Sequence, residues 1–234
     1  MPTPTPPAGQ VLLHLLWLAS PTLPVGAFSY SEGLEAAVEA GLVHDEFSTA
    51  DWLSDQMTIV LARSEIPVLA GAFDAWRAEP VDECSLRELN TWHLCTRETA
   101  EMRMQAQQMG RSMREWLRAL APGDARLHLL AALEPAPTWP VAYALALART
   151  GATRHESALT FAFSWVEAAV QAALRVVPLG QNAGQRVLAR LADLLPGQVE
   201  AALERTRSRR QSFAPGLALL SSGHEVQYSR LFRS

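Results

Sequence analysis

The sequence predicts an all-α protein, a single-domain bundle of about ten helices, and three observations predict it. Alanine and leucine together supply about 70 of the 234 residues while β-branched residues are sparse, which is the composition of helices rather than strands. No stretch alternates apolar and polar residues between turn signals, as a half-buried strand would. No internal repeat and no long linker divides the chain, so one domain is expected over residues 11–226.

The elements follow in order. Residues 1–10 are Pro- and Thr-rich and uncharged, without the basic leader of a signal peptide, and are expected as a flexible tail. The apolar run at 11–19 includes His14 and is about half the length a bilayer needs, so it reads as a short buried helix and not a membrane span. Pro21, Pro24 and Gly26 punctuate a loop. Ser29 with Glu32 suggests a capping box that launches a helix toward Ala40, stopped by Gly41. Ser48, followed by Asp51, opens the next helix, and Pro67 in a first turn opens another. Ser85 starts a helix beside the two cysteines. A long helix at 97–120 ends at Pro122-Gly123. Pro140 launches 141–149, and helices at 155–177 and 183–195 flank a Pro178-Leu179-Gly180 turn. Helices at 198–209 and after Pro215 complete the domain, and residues 227–234 form a C-terminal tail.

All 20 basic residues are arginine. The absence of lysine excludes a P-loop NTPase, a Schiff-base enzyme and a Ser-Lys hydrolase. The formal charge of -4 is uneven, about -10 through Thr96 and about +6 from Arg97 onward. A two-signed surface suits protein partners better than nucleic acid, which would require one extended basic face. Two cysteines, Cys84 and Cys95, cannot staple a domain of this size, and a reduced, cytoplasmic state is expected.

On the long helix, Arg97, Arg103, Arg111, Arg114 and Arg118 fall within about 120° of one another, with Met102, Met109, Met113, Trp116 and Leu120 opposite. The arginines form either a solvated face, partly neutralised by Glu98, Glu101 and Glu115, or a docking stripe for an acidic partner. Glu32, Glu35 and Glu39 share one face of the second expected helix. Paired-carboxylate catalysis is conceivable there, but with no nucleophile beside them a solvated acidic face is the simpler reading. His93-x-Cys95 with Cys84 offers three soft metal ligands without a fourth, so helix packing is preferred and no metal or cofactor is expected. No G-x-S-x-G, HExxH or dinucleotide fingerprint occurs. The pattern points to a binding protein.

Two segments resemble a known family. Residues 20–35, Ser-Pro-Thr-Leu-Pro-Val-Gly-Ala-Phe-Ser-Tyr-Ser-Glu-Gly-Leu-Glu, are similar to the signature loop of the UreF urease accessory proteins. Residues 224–234, His-Glu-Val-Gln-Tyr-Ser-Arg-Leu-Phe-Arg-Ser, resemble the C-terminal tail of that family. Supporting blocks at 96–98, 108–111 and 178–185 keep the family's order. The resemblance implies an all-α homodimer, not an enzyme, that assists nickel insertion into apo-urease. It further implies binding to UreD (also called UreH), recruitment and modulation of the GTPase UreG, and a tail that becomes ordered on complex formation. Phe28 and Tyr30 are expected either to plug the fold or to anchor a partner. Tyr228, Arg230, Leu231 and Phe232 form an apolar, basic tail that should order against a partner or against its own domain. Arg230 could pair with an acidic surface or approach a nucleotide as an arginine finger. Arg111, Arg114 and Arg118 complete the candidate partner-binding set.

Overall fold

The structure, a computed structural model, describes residues 7–234. Among the described residues it contains eleven α-helices and no strand. Helix α1 (Ala8–Ala19) begins three residues earlier than the apolar run, with Ala8, Gly9 and Gln10 already helical. Of the expected flexible tail, residues 1–6 lie outside the described residues.

The second helix departs from expectation. The Ser29–Glu32 box does not form: Ser29 ends a single 3-10 turn, and α2 (Leu34–Glu39) starts only after Gly33. Glu32 and Gly33 have φ of 53° and 81°, left-handed values that no right-handed helix can contain. Gly41, at φ 73°, ends the segment as expected.

Helix α3 (Glu46–Gln56) is capped by Asp45, whose carboxylate accepts from the Ser48 amide at 2.8 Å, while the Ser48 hydroxyl accepts in return from the Asp45 amide. Ser48 therefore closes the box from its third residue and does not open the helix. The rod continues through a π-helical stretch, Met57–Glu65, into α4 (Ile66–Arg77). Pro67 falls in the first turn of α4, but no break precedes it because the wider turns feed straight in.

Helix α5 (Glu83–Cys95) is capped by Asp82, not Ser85, and α6 (Ala100–Leu120) by Thr99. Arg97 therefore precedes the long helix. A six-residue α7 (Arg126–Ala131), too short to show a periodic signal, was not anticipated. Helix α8 (Trp139–Ala148) is apolar all round and lies in the middle, buried from Pro140 to Leu147. Helices α4, α6 and α9 (Arg154–Val176) pack on it. The Trp76 indole donates to the Val141 carbonyl at 3.0 Å and the Tyr143 hydroxyl to the Leu18 carbonyl at 2.9 Å, so both large side chains are satisfied where they are buried. Gly110 lets α6 approach the α7–α8 loop, for a Cβ there would lie 2.0 Å from the Pro137 carbonyl oxygen.

Helix α9 is long and apolar enough in composition to cross a membrane, yet half of that window is buried inside the fold. Helix α10 (Gln181–Leu203) runs through Pro196, where two helices were expected. Val187, Leu191, Leu195 and Val199 keep one buried stripe in phase across the proline, and this packing on α9 outweighs the lost amide bond. Helix α11 (Pro215–Glu225) leads into the tail. A second, smaller core joins Leu34, Ala37 and Val43 to Ala172, Ala173, Val177 and Phe232.

Candidate partner-binding surface

The loop at 20–33 and the tail at 226–234 are far apart in sequence and meet in the fold. Ser31 donates through its amide and hydroxyl to the Ser234 carbonyl, at 2.7 and 2.6 Å. The Arg233 amide donates to the Ser29 carbonyl. Glu35 reaches from α2 to accept the Leu231 and Phe232 amides at 2.7 and 2.9 Å. Phe232 then inserts into the smaller core, 4% exposed, with the Arg175 guanidinium 5.8 Å from its ring centroid. The tail is thus a strap fastened to its own domain, the alternative in which the segment docks at home.

The strap continues into a charged cluster. Arg230 donates to Glu101 on α6 at 2.5 Å, and fully buried His224 lies between Glu101 and Glu35. Gly33 permits this approach of α2 and α11: besides its left-handed φ, a Cβ there would stand 2.6 Å from Leu217.

The expected aromatic anchors divide. Tyr30 and Phe232 are buried and shape the surface from beneath, whereas Phe28 (66% exposed), Tyr228 (fully exposed) and Leu231 stand out from it. Burial pushes the Tyr30 phenol up, with Arg233 beside it opposing. Behind Phe28 lies a cavity of about 360 Å³, walled by Trp52, Trp139, Trp165 and Tyr143, with Glu32 and Gln56 among its polar lining.

The acidic face expected at Glu32, Glu35 and Glu39 is not solvated. Because the backbone turns left-handed at Glu32, its carboxylate points inward and accepts from Gln105 and from the Trp165 indole, at 2.6 and 2.7 Å. Burial raises its pKa against those two donors. Only Glu39 is exposed. With both glutamates committed to donors, they form no pair of free carboxylates.

The arginine stripe also divides. Arg97 is buried, donating to Glu65 at 2.7 Å and to the Ser64 and Ser212 hydroxyls. Arg111 and Arg118 are exposed, and Arg114 and Arg118 both pair with Glu115. Glu65 sits where the π-helical stretch ends, with His93 Nε2 within 2.8 and 2.9 Å of its two oxygens. Burial would raise the Glu65 pKa, but His93 and Arg97 hold it at about 2. Burial pushes His93 down, with Glu65 opposing. His93 therefore serves the interior, Cys84 and Cys95 are exposed, and among the described residues no three His, Cys, Asp or Glu side chains converge as a metal site.

Sequence reasoning missed the cluster of Glu35, Glu101 and His224 and the ion pair of Glu65 with Arg97. The one visible signal was an apolar tail that had to order against something.

Comparison with known proteins places these features in context. The sequence model of the UreF family matches residues 43–192. A urease accessory protein UreF from a Polaromonas species is 54% identical, the match covering 99% of this chain and all of the relative. The corresponding protein from Methylibium petroleiphilum is 55% identical over 98% of this chain and 96% of its own length. A bifunctional urease accessory protein UreEF from Bordetella bronchiseptica is 47% identical over 99% of this chain, which spans 54% of that longer protein.

Proposed function

The chain belongs to the UreF family of urease accessory proteins, and we propose that it acts by contact and not by catalysis, as a scaffold for nickel insertion into apo-urease. In this reading a cytoplasmic homodimer binds UreD/UreH through the loop–strap surface. The pair then recruits UreG, modulates its GTP hydrolysis, and docks on apo-urease. Nickel is cargo of the assembly, and this chain needs no resident cofactor.

The observation that carries the reading is the juxtaposition of the 20–33 loop with the 226–234 strap. Phe28, Tyr228 and Leu231 project from a frame fixed by hydrogen bonds between the loop, α2 and the strap, which is how an interface anchor is presented. The interior charges support the same conclusion, since Glu32, Glu35, Glu65 and Glu101 are all bonded within the chain. Arg111 and Arg118 supply a second, cationic face for an acidic partner. The outer side of α1, with Leu12, Leu13, Leu16 and Trp17 uncovered, is the kind of surface a second copy covers.

The test is reconstitution. The purified chain should hydrolyse no GTP, should co-purify with UreD/UreH, and should capture UreG once that pair has formed. Failure to associate with UreD/UreH under reducing, low-salt conditions, or GTP turnover by the chain alone, would overturn the reading.

A further inference from the structure

We propose that the cavity behind Phe28 is a binding site for a small organic cation, an ammonium or guanidinium on an apolar body, held as an exchangeable ligand. The cavity measures about 360 Å³, within the roughly 300 to 1,000 Å³ that small-molecule sites occupy. Trp52, Trp139, Trp165 and Tyr143 wall it. Rings of this kind cover an apolar body and attract a cation placed over their faces. Phe28, itself exposed, stands at the mouth.

The polar groups of the wall favour a donor as the ligand. Several of their own donors are already engaged: the Trp165 indole and the Gln105 amide donate to Glu32, the Tyr143 hydroxyl to the Leu18 carbonyl, and the Ser164 hydroxyl to the Phe161 carbonyl. Acceptors are left over. Each Glu32 oxygen takes one of these bonds and has capacity for a second. The Glu167 carboxylate is met only by the Gln171 amide, at 3.5 Å. The buried Gln56 carbonyl oxygen has no partner among the described residues.

Charge points the same way. The charged side chains lining the cavity are Glu32, Glu167 and Arg175. Arg175 is engaged at the rim, donating to the Phe28 carbonyl at 3.0 Å and lying over the Phe232 ring. Burial pushes the carboxyls of Glu32 and Glu167 up, as it does where an anion lacks a close cation. Left-handed backbone at Glu32 turns one of these acids inward. A divalent metal ion needs several oxygen or nitrogen ligands at once, and among the described residues no three His, Cys, Asp or Glu side chains converge to supply them. Apolar walls around two acids suit an amine or guanidine with an alkyl or aryl body.

The test compares phenethylamine, a monocation at neutral pH, with phenethyl alcohol, its uncharged isostere, by calorimetric titration into the full chain. The amine should bind about tenfold more tightly. A cavity that is merely apolar would favour the alcohol, because an ammonium is harder to take out of water. E32Q should weaken the amine about tenfold and E167Q about threefold, with the alcohol unchanged in both. In the unsubstituted chain, nuclear Overhauser effects from the amine to the Trp52 and Trp165 indoles should place it in the cavity, which keeps the test decisive if E32Q folds poorly. Absence of saturable amine binding, equal affinity for the two compounds, or amine affinity unaltered in E167Q would overturn the proposal. Binding is read without partners, so that failure is distinct from a failure to bind UreD/UreH.

Discussion

Replacing Glu65 by glutamine probes the deepest charged contact in the fold. Glu65 and Arg97 are about nine-tenths buried and 2.7 Å apart, and His93 contacts the same carboxylate. Glutamine keeps the volume, so no cavity opens and the loss is electrostatic. It strands the Arg97 guanidinium, whose Nε already lacks a partner, in a site with little access to water. Breaking one side of a buried pair costs about 3 to 5 kcal/mol, which for a chain of this size lowers Tm by roughly 6 to 20 °C. The assay is thermal and urea unfolding followed by far-UV circular dichroism at neutral pH. A second variant carrying Glu65→Gln with Arg97→Met should recover roughly half of the loss or more, because the stranded cation is gone. The pH dependence has a definite sign. The Glu65 carboxyl is held below its ordinary value of 4.5, at about 2, so the wild-type advantage is full above about 4.5 and fades as pH falls toward 2. A loss below about 1 kcal/mol at neutral pH, or a difference that persists at the acid end, would refute the reasoning.

Further outcomes follow from other sites. Gly110→Ala should destabilise by about 3 kcal/mol or more, because the added carbon would meet the Pro137 carbonyl oxygen and neither backbone can yield cheaply; chemical denaturation checks it. Charge reversal of Arg111 and Arg118 to glutamate should leave stability within about 1 kcal/mol while weakening capture of an acidic partner, read by pull-down at low and high salt. The Cys84→Ser, Cys95→Ser double variant should bind nickel and zinc no differently from the unsubstituted chain in equilibrium dialysis, since both thiols are exposed and His93 is engaged by Glu65.

Much of the fold was legible because its longest signals are local. The all-apolar stretch that became α8, the 3.6-residue pattern of α6 and α9, and the stops at Gly41 and Pro122-Gly123 are properties of short windows. The failures have physical causes. Asp45 and Asp82 displaced the serines as caps because each aspartate carboxylate accepts the amide of the serine three residues on, which places that serine inside the first turn. Pro196 looked like a boundary, but a buried stripe that continues on both sides carries the helix through it. The acidic cluster was misread because the helical-wheel argument assumed a helix from Ser29, whereas left-handed backbone at Glu32 and Gly33 turned two of the three carboxylates inward. Arg97, read as part of a cationic face, lies before α6 and pairs with a residue 32 positions away. Of the candidate surface, Phe28, Tyr228 and Leu231 stand out by residue type, and the structure leaves them exposed. The burial of Tyr30 and Phe232 was not legible, because it depends on contacts with the opposite end of the sequence.

The central claim is that Phe28 and Tyr228 act as contact points on a surface the rest of the chain holds rigid. Its most direct test is the nickel content of urease from cells whose own copy of this gene carries Phe28→Ala with Tyr228→Ala. Both side chains are exposed, so the variant should accumulate and melt as the unsubstituted chain does. The account predicts urease that is assembled but poor in nickel. Fully loaded urease from those cells would contradict it.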